Sequence, residues 1–349
     1  MPRYPADALR LFAQALLTRA GLPDDRAQAV AEVLVEGDLL GHDTHGLALL
    51  APYLAEIERG AMATTGDIVV LNDRPAALLW DGCRLPGPWL TRYATDTAIE
   101  RARAYGTATV VIRRSHHIAC LAAYLCRATE QGFVLLLACS DPNAASVAPF
   151  GGTRAVFTPD PLAIGFPTAG DPVLVDISAS VTTNGMSARL HKLGRRFVHR
   201  WLLDAGGNAT DDPAVLFAVP QGTILPLGGL EAGHKGYGLA LLNEALTGGL
   251  AGFGRADPKE GWGATVFVQA LDPEAFGGRD AFVRQAEFIT AQCRHNPPRP
   301  GVDAVRVPGE RALARRREQL ARGLQLHDSI LPALEPWAQR FDIALPATH

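Results

Sequence analysis

The chain has 349 residues, of which 48% are hydrophobic and 20% are charged, so it can bury a sizeable core and is neither disordered nor fibrous. Its 33 Lys and Arg residues and 36 Asp and Glu residues give a net charge of −3, which argues against a nucleic-acid-binding protein. The longest apolar run covers seven residues, 133–139, whereas a transmembrane helix needs about 20. We therefore expect no membrane association.

The apolar spacing predicts three helices in the first 60 residues, at 9–17, 24–40 and 49–60. From residue 66 onward, strands and helices alternate. Strands are predicted at 68–71, 77–80, 107–112, 133–138 and 265–270. Further helices are predicted at 89–105, 118–131, 236–250, 281–293, 310–322 and 328–341. The pattern is that of a mixed α/β protein.

The five cysteines are widely spaced and include no C-x-x-C pair. This pattern argues against a disulfide framework and against a structural zinc site. We interpret the cysteines as buried thiols of a cytoplasmic protein.

The common nucleotide and hydrolase motifs are absent from the sequence. It contains no G-x-G-x-x-G fingerprint of the Rossmann fold, no Gly-Lys pair of a P-loop, no G-x-S-x-G elbow and no H-E-x-x-H helix. Any dinucleotide would therefore have to bind in another way.

Five short polar clusters remain, at 41–46, 113–117, 176–180, 233–238 and 306–310. Three of them are predicted to lie at helix N-termini, where free N–H groups and the helix dipole favour anions such as a pyrophosphate. Each cluster alone also has a structural interpretation, as turn residues, helix caps, structural histidines or solvated charges. Their number and order favour a function.

The order of these clusters resembles the malate/L-lactate dehydrogenase-like oxidoreductases, a family that lacks a Rossmann fold. The family motifs G-x-D-S-H-G and S-N-H resemble 41–46 and 115–117, with Thr44 and His116 replacing Ser and Asn. The other similar segments are P-x-G-G at 149–152, D-M-A-T-S at 176–180, W-x-x-D…T-x-D-P at 201–213, L-P-L-G-G…K-G-x-G-L at 225–239 and R-x-P-G-E at 306–310. The resemblance covers nearly the whole chain.

The resemblance implies a mixed α/β architecture with two domains. A non-Rossmann NAD(P)-binding α/β domain would cover residues 66–274. Residues 1–65 would pack with 275–349 as a mainly α-helical domain. The resemblance also implies a homodimer with the active site near the subunit interface.

The implied cofactor is NADPH or NADH. The residues expected to hold it are Ser140, Asp176, Ile177, Ser178, Ala179, Ser180, His234, Lys235, Pro308, Gly309 and Glu310. Basic residues at 189–196 would favour NADPH if they reach the adenosine ribose. Otherwise they form a solvated face, and the choice of cofactor stays open.

The resemblance implies reduction of a 2-oxo acid or a cyclic imino acid to the 2-hydroxy acid or the amino acid. The cofactor supplies a hydride, and a group with a pKa near neutrality must supply the proton. Histidine is the natural donor, so we predict His117 as the acid/base and His45 as its partner, with the reverse assignment left open. We expect Thr44, His45, His117 and Asp160 to contact the small carboxylate substrate.

Departures from the family pattern bear on the substrate. Many family members carry an Arg four residues after the His of D-S-H-G, and Leu49 stands there. A 2-oxo acid needs a cation, so one would have to come from elsewhere, with Arg113, Arg114, Arg154 and Arg189 as candidates. The family's T-N-P is replaced by Pro159-Asp160-Pro161, which would add a negative charge near the site.

Two alternatives remain open. The first is a non-catalytic paralogue that binds a nucleotide or metabolite, although the presence of His45, His117 and Lys235 argues against it. The second is a metal-dependent lyase that uses the histidines of both clusters, His42, His45, His116 and His117. The H-x-x-H spacing is loose and no acidic partner is evident, so we predict no metal site.

Overall fold

The computed structural model describes residues 2–348. Its helices are α1 (Ala6–Arg19), α2 (Asp24–Leu40), α3 (Leu50–Glu58), α4 (Gly87–Tyr105), α5 (Ala122–Thr129), α6 (Asn184–Lys192), α7 (Gly229–Glu244), α8 (Arg279–Arg294), α9 (Glu310–Arg322) and α10 (Ile330–Phe341). Within the described residues, no helix combines the length and the apolarity needed to cross a bilayer.

The strands form one large sheet and one small sheet. They are β1 (Val69–Arg74), β2 (Ala77–Asp81), β3 (Thr107–Ser115), β4 (Val134–Ser140), β5 (Pro161–Phe166), β6 (Val173–Ser178), β7 (Leu202–Leu203), β8 (Ala209–Thr210), β9 (Thr223–Ile224) and β10 (Ala264–Leu271). The large sheet has the order β1-β2-β3-β10-β4-β5-β6, and only β2 and β3 are parallel neighbours. This differs from the parallel Rossmann sheet, so the predicted mixed α/β, non-Rossmann fold is confirmed.

One face of the large sheet is covered by α4 and α5. The helices at both ends of the chain pack outside them, with α1 against α2 and α10, and α9 against α2. The resulting core is continuous from the N-terminal helices through α5 and β10 to α10, as Leu34, Leu125, Val268 and Leu334 illustrate. Two domains are predicted, one of residues 1–65 with 275–349 and one of residues 66–274. Residues of both therefore share one apolar core.

The small sheet, β8-β7-β9, has an apolar cluster of its own. Phe157, Leu202 and Ile224 are buried there, together with Ala240 of α7. The cluster also includes Ala179, which follows β6 directly. This cluster therefore packs the end of β6, in the large sheet, against α7.

Several predicted boundaries differ from the structure, most clearly those around β3, α5 and α7. β3 extends to Ser115, and α5 begins only at Ala122, so the prediction of a helix from 118 is wrong. The cause is Ala119, whose φ of 62° is left-handed and interrupts a helix. Helix α7 begins before the predicted residue 236, but Ala232 is non-helical and separates its first turn from the 233–238 cluster. Helix α6 was not predicted, because its sequence is mostly polar.

Candidate active site

A cavity of about 730 Å³ lies where the loop after α2, the loop before α5 and the start of α6 meet. This volume is within the range of small-molecule and cofactor sites. His45 and His117 both line it, and we call it the histidine cavity. Its wall is completed by the ends of β4 and β6 and by Trp201 and Trp262.

The loop after α2 is fixed by its own backbone. Gly41 has a φ of 93°, which ends α2 and reverses the chain. The amide of His42 donates to the carbonyl oxygen of Gly37 at 2.8 Å, and the amide of His45 donates to that of His42 at 2.8 Å. These bonds place both imidazoles on the cavity wall.

The buried side chain of Asp38 stabilises the loop after α2. Its carboxylate accepts a 2.7 Å hydrogen bond from the amide of Leu47. A Cβ atom on Gly46 would lie 2.3–2.5 Å from the carboxyl atoms of Asp38, so only glycine fits there. Burial raises the pKa of Asp38 to about 7.

The loop before α5 presents His117. The amide of Ala119 donates to Nδ1 of His117 at 3.3 Å, and Oη of Tyr53 lies 2.8 Å from the same nitrogen. Both contacts hold the Nδ1 edge of the ring against the chain and leave Nε2 as the nitrogen available for proton exchange. The ring of Trp262 packs against the imidazole with 4.7 Å between centroids.

The two cavity histidines form a close pair. Their ring centroids are 5.9 Å apart, and Oγ1 of Thr44 lies 2.9 Å from Nδ1 of His45. Burial lowers the pKa of His45, although Asp176 opposes the shift. Burial, with a smaller contribution from His45, lowers the pKa of His117 well below its ordinary value. Both rings are therefore neutral at pH 7.

Asp160 lies elsewhere than the sequence suggested. Its side chain is fully buried, and it does not line the histidine cavity, although Pro159 and Pro161 do. Its Oδ1 accepts a 2.5 Å bond from Thr158. Burial and the nearby Glu244 raise the pKa of Asp160, whereas Arg255, 3.6 Å from its Oδ1, favours the charged form.

The 176–180 segment is divided between the cavity and the interior. Asp176 and Ser178 line the histidine cavity, whereas Ile177 points to the opposite face of β6, as strand alternation requires. Ala179 is buried, and its amide donates to the carbonyl oxygen of Pro159 at 2.8 Å. Ser180 is also buried, and its hydroxyl bonds to the chain at Thr182.

The other predicted cofactor residues do not line the cavity, although Pro308 and Gly309 contact β6. A Cβ on Gly236 would lie 2.7 Å from the carbonyl oxygen of Ala179, which brings His234 and Lys235 next to this segment, both of them exposed. The carbonyl oxygen of Pro308 accepts from the amide of Leu174 in β6.

The remaining predicted cofactor residues, at 308–310 and at 140, are held by contacts with other residues of the chain. A Cβ on Gly309 would meet Leu174 at 2.9 Å, so the 308–310 turn packs tightly on β6. Glu310 is paired with Arg294. The hydroxyl of Ser140 donates to Glu244 at 2.6 Å, and Arg255 donates to Ser140 at 3.1 Å.

The charge of the histidine cavity is negative. Among the described residues that line it there is no lysine and no arginine, whereas Asp43, Asp141 and Asp176 are present. Leu49 also lines it. Arg189 is paired with Asp43 at 2.9 Å.

The other arginines considered for the substrate carboxylate lie away from this lining. Arg113 and Arg114 are both paired with Asp81, and Arg154 is exposed. The structure therefore brings none of the four candidates into the lining of the cavity, and Arg189 comes nearest.

Of the four histidines of the lyase hypothesis, His42, His45 and His117 line the cavity, and His116 does not. His116 is fully buried away from the cavity, with Nε2 3.4 Å from Glu56. Burial lowers its pKa to about 3. A different trio does converge, in which the ligand atoms of His42, Cys120 and Asp176 lie within 4.8 Å of one another.

Sequence reasoning missed several residues of the cavity region. Tyr53 falls within the predicted helix 49–60, and its contact with His117 spans 64 positions of sequence. Trp262 lies in a glycine-rich loop, and Cys120 was interpreted as an inert thiol. No local spacing links these residues to the histidines.

The chain is similar, in sequence and in fold, to known proteins of one family. The sequence profile described as malate/L-lactate dehydrogenase matches residues 4–335. An L-lactate dehydrogenase from Cupriavidus necator is 33% identical over 344 residues, which cover 97% of each chain.

Two solved structures have similar folds. The malate dehydrogenase of Pyrococcus horikoshii superimposes with a TM-score of 0.88 at 26% identity, covering 98% of this chain and 96% of that one. A Δ1-piperideine-2-carboxylate reductase from Pseudomonas syringae gives 0.84 at 25% identity, covering 97% and 100%. The predicted family and the prediction of an oxidoreductase are thus confirmed. The chain belongs to the malate/L-lactate dehydrogenase family.

Proposed function

We propose that the chain is an NAD(P)H-dependent oxidoreductase that interconverts a 2-oxo acid or cyclic imino acid and the corresponding 2-hydroxy acid or amino acid. The observation that carries the proposal is the histidine pair. His45 and His117 lie 5.9 Å apart on the wall of a cavity that Asp176 and Ser178 also line. A proton donor and a predicted cofactor segment thus share one enclosed space.

The residues present fit a dinucleotide that lies along the end of β6. Gly236 packs against the carbonyl oxygen of Ala179, which brings the exposed Lys235 beside the end of β6, where its ammonium could pair with a phosphate. When bound, the cofactor supplies the hydride. The last turn of α6 carries Arg189, His191 and Lys192, which favours NADPH over NADH if this turn faces the adenosine ribose.

His117 is the proposed acid/base. Its Nδ1 edge faces Tyr53 and Ala119, so Nε2 is the nitrogen that exchanges the proton: the imidazolium gives one during reduction, and the neutral ring, with its remaining proton on Nδ1, takes one during oxidation. His45 orients the substrate beside it, with Thr44 at its Nδ1. The walls formed by Trp201 and Trp262 exclude water from the reacting atoms.

The names of the similar proteins support this range of substrates. They include an L-lactate dehydrogenase, a malate dehydrogenase and a Δ1-piperideine-2-carboxylate reductase. All three act on small molecules with a carboxylate next to a C–O or C–N centre. We therefore propose the same chemical class for this chain.

The test separates catalysis from binding alone. NADH and NADPH are titrated while their fluorescence is recorded, and turnover is measured with pyruvate, oxaloacetate and Δ1-piperideine-2-carboxylate. We expect binding of at least one cofactor and turnover of at least one substrate. Cofactor binding without turnover of any 2-oxo acid or cyclic imine would favour the non-catalytic paralogue instead.

We also propose a homodimer. The exposed face of α8 carries Phe288 and Ile289, which are 62% and 55% exposed, and such apolar patches mark interaction surfaces. Light scattering should give a dimer for the wild type and a monomer for Phe288→Glu. Leu11→Glu, at an exposed position on α1, is the matched control and should remain dimeric. A monomeric wild type would contradict the proposal.

A further inference from the structure

Three different ligand side chains meet on the wall of the histidine cavity. His42 comes from the loop after α2, Cys120 from the loop before α5, and Asp176 from β6. One imidazole nitrogen, the thiol sulfur and one carboxylate oxygen all lie within 4.8 Å of one another. The sulfur of Cys120 is 3.8 Å from Oδ2 of Asp176.

Each of the three side chains is held by rigid backbone. His42 follows the left-handed Gly41, and its amide is bonded to Gly37. Cys120 follows Ala119, whose left-handed φ turns the chain at the cavity wall. The amide of Ala122, at the start of α5, donates to Oδ2 of Asp176 at 2.9 Å. The trio is therefore arranged before any ligand arrives.

A nitrogen, a sulfur and an oxygen donor form a ligand set that suits Zn²⁺. Catalytic zinc sites have three protein ligands and leave a fourth position open. We propose that His42, Cys120 and Asp176 bind one divalent transition metal ion, Zn²⁺ by their chemistry, with the fourth position open to the histidine cavity. Binding replaces the thiol proton of Cys120, which is released to solvent.

The charge of the cavity gives this ion a role. Its described lining has three carboxylates and no lysine or arginine, and Leu49 is one of the lining residues. A substrate carboxylate therefore lacks a cationic partner there. The ion would supply that charge at its open position. This role rests on the proposed function, whereas metal binding itself does not.

Sequence spacing gave no sign of the site, since its ligands are separated by 78 and 56 positions of sequence. From the sequence, the histidines considered as metal ligands are His42, His45, His116 and His117. Only His42 of that set belongs to the trio. The fold, and not a motif, brings the ligands together.

The test uses tag-free, full-length protein stripped with a chelator. Zn²⁺ alone is titrated in competition with a chromogenic chelator, and Co²⁺ is added separately to look for the absorption band of a thiolate–Co²⁺ bond. We expect one ion per chain and this band. Cys120→Ser should abolish the band, and Cys120→Ser and His42→Gln should each weaken Zn²⁺ binding by about 100-fold or more, beyond the 10–100-fold typical of outer-shell changes.

Cys126→Ser is the matched control, since this thiol lies outside the histidine cavity. It should keep both the stoichiometry and the Co²⁺ band. The proposal is overturned if the stripped wild type takes up no stoichiometric Zn²⁺, a result that needs no variant. It is also overturned if Cys120→Ser keeps the wild-type affinity and band.

A further measurement separates the site from the function. The KM of the carboxylate substrate is compared between zinc-loaded and stripped protein, beside the fluorescence titration with NAD(P)H. A KM at least ten-fold higher in stripped protein supports the role of the ion. An equal KM overturns that role and leaves the dehydrogenase proposal intact, whereas zinc binding without any turnover supports the site and contradicts the proposed function.

Discussion

The hydroxyl of Tyr53 lies 2.8 Å from Nδ1 of His117 and 3.1 Å from the carbonyl oxygen of the same residue. The amide of Ala119 approaches the same nitrogen. Together these groups fix the orientation of the ring and keep its Nδ1 edge against the chain. A side chain from α3 thereby orients a residue 64 positions later.

Tyr53→Phe should therefore lower kcat while leaving cofactor binding unchanged. Loss of one hydrogen bond to the ring is worth about 1 kcal/mol, which corresponds to a five- to ten-fold decrease. Tyr93→Phe, at an exposed tyrosine, is the control and should turn over at the wild-type rate. Steady-state kinetics with both variants checks this, and equal rates for all three proteins would remove Tyr53 from the mechanism.

His117→Ala should lower kcat by ~10²–10⁴-fold with little effect on cofactor binding, because the hydride source is held elsewhere. Since burial lowers the pKa of His117, the kcat/KM of wild-type reduction should fall with rising pH through an apparent pKa below 6.5, and oxidation should rise. The variant should lose this titration. If His45→Ala alone abolishes it, the two histidines have the opposite roles.

Asp38 should make folding stability depend on pH. Its pKa is 3.8 in the unfolded chain and about 7 when folded, so the folded protein binds more protons between these values. Stability therefore falls as pH rises from 4 to 7, by up to about 4 kcal/mol. Asp38→Asn should remove this fall in urea unfolding curves. Asp25→Asn, at an exposed position, should keep the wild-type dependence, and parallel curves for Asp38→Asn and wild type would contradict the assignment.

In protein stripped of metal, Leu49→Arg should improve the binding of 2-oxo acids. It places a guanidinium in a lining that has no other cation among the described residues. A charged hydrogen bond of 1.5–3 kcal/mol predicts a KM lower by about 10–100-fold. Leu49→Met controls for the change in shape. If the Arg and Met variants give the same KM for pyruvate, the substrate carboxylate lies elsewhere.

Lys235→Ala should raise the KM of the cofactor and cost roughly 1–3 kcal/mol of binding, as expected for a charged contact with a phosphate. The residue is exposed beside the 176–180 segment. Lys259→Ala removes an equally exposed lysine far along the chain and is the control. An unchanged cofactor KM in Lys235→Ala would exclude this side chain from the site.

Much of the fold could be predicted because its pattern is local. The helices at 9–17 and 24–40 and the strand at 133–138 depend on apolar periodicity and terminal glycines, and α1, α2 and β4 correspond to them. The end of β3 and the start of α5 could not be predicted, because they depend on the left-handed Ala119. Tertiary contacts hold that conformation, and the sequence around it does not reveal it.

The sequence predicts the histidines of the candidate site, but it does not predict the residues that surround them. Thr44, His45 and His117 share one cavity, as the motifs indicated. Asp160 does not line the cavity, because a motif fixes the order of residues and says nothing about which way a buried side chain points. The converging ligands at Cys120 and Asp176 come from separate elements, so no spacing rule applies to them.

Helix α9 supports the loop after α2, which carries His42 and His45. Its buried Gln319 donates to the backbone of Asp38 and Leu39 at 3.0 Å, just before that loop begins. Because those partners are separated by 280 positions or more, a chain emerging from the ribosome cannot complete its active site until α9 has been made. We expect nascent chains that stop before residue 310 to be inactive, so that activity during synthesis is delayed until the closing contacts of the fold can form.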